Sequence, residues 1–276
     1  MITLLVVASE ADPVARAVLP YWGTPPSSGL HVDGAAIREL GPGVGLLRRA
    51  PLHIHDEHLD RIFPAELAAA PPTVVFPSVH RSERGDRCLT VHPLGNLGEE
   101  AEVGGSPHQL VPVDARRMTD ALRRLTDASP AAGLPATFEA THHGPTLDAP
   151  AFFVEIGFGD APEPPKEAAK VLAATIPQIT GADGDRIVVG VGGGHYAPHF
   201  TDLAVKRRWA FGHLVSRHAL EGLDPAMARR VVTATPGCEG ALFARAADAI
   251  GETGAAFGPR LAEGSAPRRE GRSTAG

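Results

Sequence analysis

Apolar runs bounded by turn residues recur along the chain at 2–8, 73–78, 87–92, 136–142, 152–156 and 187–191, and each predicts a β-strand. Helical periods fall between them. Asp114 can cap a helix with Met118, Leu122 and Leu125 on one face. Lys166–Ile176 is Ala-rich and amphipathic, and Asp224 with Pro225 forms an N-cap and first-turn pair for a helix to Thr233. A further short helix is expected over 239–250. The strand runs are apolar rather than strictly alternating, and helices separate them. That pattern predicts an α/β fold with a mixed, largely parallel central sheet and helices on both faces. The segments 94–109 and 157–166 are rich in Gly, Pro and acidic residues and read as surface loops. Without a repeat or a linker, 1–250 reads as a single domain. The weakly periodic 251–276 reads as a disordered C-terminal tail.

Composition narrows the classes. At 276 residues the chain can bury a sizeable core, and no apolar run approaches a membrane span. The apolar start MITLLVVASEADPVA has no basic region before it and reads as a first strand, not a signal peptide. Cys88 and Cys238 are too few for a disulfide framework, and a cytoplasmic protein is expected. The formal net charge of −6 argues against nucleic-acid binding through a globally basic surface, though not against a local patch. The arginines of 116–124, Lys206–Arg208 and Arg229–Arg230 read as solvated surface.

The candidate chemistry lies where the strands end. TVVFPSVHRS, CLTVHP, TFEATHHGP and VVGVGGGHYAPH place His80, His92, His142, His143, His195 and His199 at or just beyond predicted strands. In an open sheet such ends converge on one crevice. Neutral imidazoles bind metals and titrate near neutral pH, so several of them with a carboxylate can build a hydrolytic metal site. If 136–142 is one strand, Glu139, Thr141 and His143 share a face, and His142 points the other way unless Gly144 and Pro145 break the strand early. Glu155 leaves the apolar face of its strand and is a candidate general base or metal ligand. Gly192, Gly193 and Gly194 can form an anion nest or oxyanion hole beside His195. The loop is not a dinucleotide fingerprint, because Pro198 and His199 are expected to interrupt a following helix. HIHDEHLD (53–60) looks metal-like but follows no strand and is expected to be solvated.

Taken in order, HRSERG, LTVHPLGN, EATHHGP, FVEIG, GVGGGHYAPH and AFGHLVSRHAL resemble the archaeal and plant type of D-aminoacyl-tRNA deacylase over residues 1–250. The match departs at FGDAPEPP and at His199. The resemblance implies a fold related to peptidyl-tRNA hydrolase and nucleoside phosphorylases. It implies hydrolysis of the ester joining a D-amino acid to the 3′ end of tRNA, with two Zn2+ per subunit. By position it implies metal ligands among His80, His92, His142, His143 and His195, and catalytic roles for Glu139, His143, Glu155 and His195. Substrate contacts are then expected from Gly192–Gly194, Tyr196 and Arg81, with Tyr196 and Phe200 stacking on bases of the single-stranded end. The implied partner is tRNA carrying a D-amino acid, met by a monomer away from membranes. Rival readings are a peptidyl-tRNA hydrolase, a zinc amidohydrolase or a non-catalytic tRNA-binding protein.

Overall fold

The structure is a computed structural model that describes residues 1–82 and 84–269. An eight-stranded mixed sheet forms its centre, built from β1 (Leu4–Ser9), β2 (Ser27–Val32), β3 (Ala35–Gly41), β4 (Val44–Arg49), β5 (Thr73–His80), β6 (Arg87–Pro93), β7 (Ala136–Phe138) and β8 (Ala151–Phe158). Their spatial order is β2-β3-β4-β1-β5-β8-β6-β7. The inner pairs β4–β1, β1–β5 and β5–β8 are parallel, as are β6 and β7, whereas β6 runs antiparallel to β8. All six residues of β1 and all eight of β8 are buried, as predominantly apolar runs require of strands covered on both faces; in β8 the one charged residue is Glu155. A separate parallel sheet holds β9 (Arg186–Val191) between β10 (Trp209–Val215) and β11 (Ala241–Phe243).

The longer helices are α1 (Pro13–Trp22), α3 (Ala115–Ala132), α4 (Lys166–Thr175), α5 (Pro198–Lys206) and α7 (Pro225–Thr233). Shorter ones are α2 (Ala65–Ala68), α6 (Arg217–Glu221) and α8 (Gly251–Ala256). Asp114 caps α3 by accepting from Arg117 N, and Asp224 caps α7 by accepting from Met227 N, as their sequence positions predict. Met118, Leu122 and Leu125 of α3 join the core that includes Phe138, Phe152 and Phe211. No helix among the described residues is long and apolar enough to cross a membrane.

Several expectations do not hold. Residues 239–250 form β11 and a 3-10 turn rather than a helix, because 241–243 is drawn into the ladder beside β9. Strands β2, β3, β4, β10 and β11 lie outside the expected runs, although β10 is buried throughout and β4 over its first four residues. Residues 251–269 are not a structureless tail: α8 packs on α7, Phe257 and Ala266 are buried, and Leu261 N donates to Ala241 O. Residues 270–276 lie outside the described residues. Arg123 is not solvated either. It is buried, pairs with Asp185 at 2.6 Å and donates to three backbone carbonyls, those of Ala204, Arg207 and Trp209.

Candidate active site

Four neighbouring strands and one loop deliver the site. β5 ends on His80, and β8 beside it sets Glu155 level with Ser78 on one side and with Thr90 of β6 on the other. His92 lies near the end of β6. β7 stops at Phe138, and the chain continues through Glu139 laced to the glycine loop: Ala140 N donates to His195 O at 2.8 Å, and Ala197 N to Phe138 O at 2.9 Å. The early end of β7 overturns the expected alternation. With His143 in the left-handed region at φ +41°, both adjacent histidines turn into one cluster, their ring centroids 4.5 Å apart.

His80 bridges the two glutamates. Its Nδ1 lies 3.2 Å from Glu139 Oε1 and 3.4 Å from Glu155 Oε2, and its Nε2 lies 2.7 Å from the Tyr196 hydroxyl. Tyr196 in turn donates to Asp86 at 3.1 Å. Burial disfavours the charged ring, but ion pairing with Glu139 and Glu155 outweighs it and raises His80 to about 10. Burial would likewise push the Glu139 carboxyl up, yet His195 and His80 hold it well below the usual range. Glu155 is lowered too, since His92 and His80 overcome its burial. Both carboxylates are therefore ionised at neutral pH. Histidine nitrogens of His80 and His195 lie within ion-pair distance of Glu139, but neither Glu139 oxygen has a well-directed hydrogen-bond donor.

His92, His142 and His143 form the second half of the cluster, with His92 stacked 5.0 Å from Phe153. Each donates Nδ1–H to a backbone carbonyl: His92 to Pro93 O at 3.2 Å, His142 to Ala140 O at 2.9 Å and His143 to Gly144 O at 2.7 Å. That leaves Nε2 of all three as lone-pair donors, the arrangement typical of metal-ligating histidines. Candidate ligand atoms of His92, His142 and His143 lie within 4.8 Å of one another, and so do those of Glu139, His142 and His195 and of His80, Glu139 and Glu155. Nε2 of His92 is buried without a hydrogen-bond partner. An imidazole and carboxylate set of this kind fits Zn2+. Burial, then the neighbouring rings, lowers His142 well below its ordinary value and His143 to about 4, which keeps both neutral. An edge of each stays at the surface although protein surrounds the rings. His92 is raised despite its burial, because Glu155 lies 3.6 Å from its Nε2.

The cluster opens into a cleft of about 630 Å³ through His142, His143 and the half-exposed His195. The sixth histidine does not join it: His199 pairs with Glu263 at 3.0 Å. Phe200 is 1% exposed and packs on Phe211, so no base can stack on it. Pro198 opens α5 at its first turn instead of interrupting a helix, as suits a residue with fixed φ and no N–H. Gly192 cannot serve an oxyanion, because its N–H is committed to Val215 O at 2.8 Å. Gly193 and Gly194 face a neighbouring groove. Arg81 is exposed and lines a second recess, which also touches His80 and Asp86.

Sequence reasoning missed a layer beneath the cluster. His53, expected in solvent, is buried with Nε2 2.8 Å from Ser78 Oγ and its ring 5.0 Å from Phe153. His213 is fully buried and donates Nε2–H to Val111 O at 3.0 Å, while its Nδ1 accepts from Thr141, the residue before His142. The Thr at i−1 of the paired histidines and the His in AFGHLV were the available signals.

The sequence profile of D-aminoacyl-tRNA deacylases matches residues 68–251. A D-aminoacyl-tRNA deacylase of Thermoplasma acidophilum is 32% identical over 244 residues, covering 87% of this chain and 90% of the relative. The chain belongs to the D-aminoacyl-tRNA deacylase family. A relative of the same description from Thermoplasma volcanium is 33% identical across 87% of this chain and 90% of its own length. A crystal structure described as a conserved protein of unknown function superposes with a TM-score of 0.79 at 26% identity, covering 94% of both chains. The matched span 68–251 contains His80, Glu139, Glu155 and the other four members of the cluster. As a deacylase the chain is a hydrolase with a tRNA substrate, and the mixed α/β fold agrees with that of its structural neighbour.

Proposed function

We propose that deacylation takes place at His195 on the cleft wall, with Glu139 buried directly behind it, assisted by a metal. The observation that supports this reading most is the pairing of an ionised buried carboxylate with a half-exposed imidazole 3.0 Å away. Glu139 accepts a proton from the attacking water, whose oxygen bonds to the ester carbonyl carbon. As the bond to the ribose oxygen breaks, His195 hands a proton to that oxygen. His80, kept protonated between Glu139 and Glu155, offsets part of the charge of the two carboxylates through the cycle. Tyr196 and Asp86 hold the His80 ring in place. His92, His142 and His143 would hold a Zn2+ through Nε2, and such an ion supplies Lewis-acid polarisation of the ester carbonyl. The family likeness implies two ions, but only one is proposed: the single free lone pair of His142 is taken by it, and Glu139 and His195 are kept for proton transfer.

The test is steady-state hydrolysis of D-aminoacyl-tRNA and L-aminoacyl-tRNA by the wild type, Glu139→Gln and His142→Ala, with elemental analysis of each protein. Loss of D-selective hydrolysis in both variants, without unfolding, supports the assignment. Full activity in both removes the cluster from the chemistry.

A further inference from the structure

The cleft is electrically two-sided at its mouth. One wall is the 98–103 loop, where Glu99, Glu100 and Glu102 are exposed. Beyond His195 lies a neighbouring groove lined by Gly193, Gly194, Arg217, Glu221 and Arg245, and His218 lines both spaces. Two separate parts of the fold fix the arginines there. Arg217 N donates to Gly193 O at 2.9 Å, and Ala244 N donates to Val191 O at 2.8 Å, which pins the chain just before Arg245. Neither guanidinium is locked away. Arg217 lies 3.9 Å from Glu221 and is 58% exposed; Arg245 contacts Asp248 at 3.1 Å and is 52% exposed. Nothing stands within 4 Å of the Cβ position of Gly193, so the floor between them is open. Each guanidinium has one carboxylate beside it and more than half its side chain exposed, which leaves donors of both free to take an anion at the active-site mouth.

We propose that this groove binds a backbone phosphate of the single-stranded 3′ end of the tRNA, and so sets the direction in which the ester enters. Arginine presents a planar fork that suits a phosphate. With the phosphate held on the arginine side, the aminoacyl ester reaches His195, and its cationic α-amino group is directed towards the acidic lip. The inference rests on the reading of the histidine and glutamate cluster as the deacylation centre.

The test compares D-aminoacyl-tRNA with D-aminoacyl-adenosine, which carries the same ester but no phosphate. In Arg217→Ala/Arg245→Ala, kcat/KM for D-aminoacyl-tRNA should fall about tenfold or more beyond any change for D-aminoacyl-adenosine, the scale of a charge-assisted hydrogen bond. The salt dependence of the tRNA reaction should flatten by about 0.7 in log-log slope for each phosphate that the variant no longer neutralises. Arg229→Ala, an exposed arginine on α7, is the control for overall charge. Equal losses on both substrates, no loss on either, or an Arg229→Ala effect as large as the double variant's would overturn the proposal. Failure of the catalytic reading looks different: His142→Ala would then cleave both substrates normally.

Discussion

The Tyr196 hydroxyl lies 2.7 Å from Nε2 of His80, joining residues 116 positions apart in the chain. The bond ties the glycine loop after β9 to the end of β5, so the separate three-stranded sheet and the central sheet share one site. Tyr196→Phe keeps the ring and removes the link to both His80 and Asp86. One hydrogen bond is worth about 1 kcal/mol, so kcat should drop about fivefold with little change in thermal stability. An unchanged kcat would show that the hydroxyl does not position His80.

Glu139→Gln is nearly isosteric and removes the buried charge that holds His80 and His195. The loss in kcat should be about 10²-fold or more, the usual worth of a general base. Stopped or steady-state hydrolysis of D-aminoacyl-tRNA measures it, and a loss below about threefold would reassign the proton acceptor to Glu155.

Dialysis against a strong chelator should abolish hydrolysis, and Zn2+ should restore it. Thermal melts should show the metal-free protein less stable than the loaded one, because a ligand bound only by the native state stabilises it. Full activity in protein shown metal-free by elemental analysis would rule out the metal.

His213 lies outside the cluster, and burial lowers it to about 4 from 6.5. The native state therefore keeps this ring neutral while the unfolded chain takes up a proton below 6.5. Stability from this group is intact above pH 6.5 and is lost as the pH falls through the window from 6.5 to 4, by about 3 kcal/mol in all. His213→Gln should flatten the fall of denaturation midpoint across that window. An identical pH profile would show that other groups govern acid stability.

Phe257 is fully buried against Phe243 in the segment after residue 250. Phe257→Ala should cost about 3 kcal/mol in chemical denaturation. A neutral substitution would restore the view of this segment as dispensable.

What the sequence could reveal followed physical period and local capping. The runs at 73–78 and 152–156 are mostly apolar because β5 and β8 are buried on both faces, with Ser78 and Glu155 as polar exceptions that serve the site, and the caps Asp114 and Asp224 act within three residues of themselves. The gathering of His80, His92, His142, His143 and His195 was legible for the same reason: strand ends on a shared sheet share a rim. The direction of each ring was not legible. His142 and His143 converge because β7 ends at Phe138 and the backbone turns left-handed at His143, both consequences of lacing to the glycine loop. His199 and Phe200 turn away because Pro198 begins α5, which seats Phe200 on Phe211 and His199 beside Glu263. The burial of His53, His213 and Arg123, and the docking of 251–269, depend on partners as far as 102 residues away, such as Val111 beneath His213. Residue types and their local order thus specified the strand ends, the caps and the kind of chemistry. Packing between distant segments alone decided which lone pairs face one another, because orientation is set by contacts that no local period encodes.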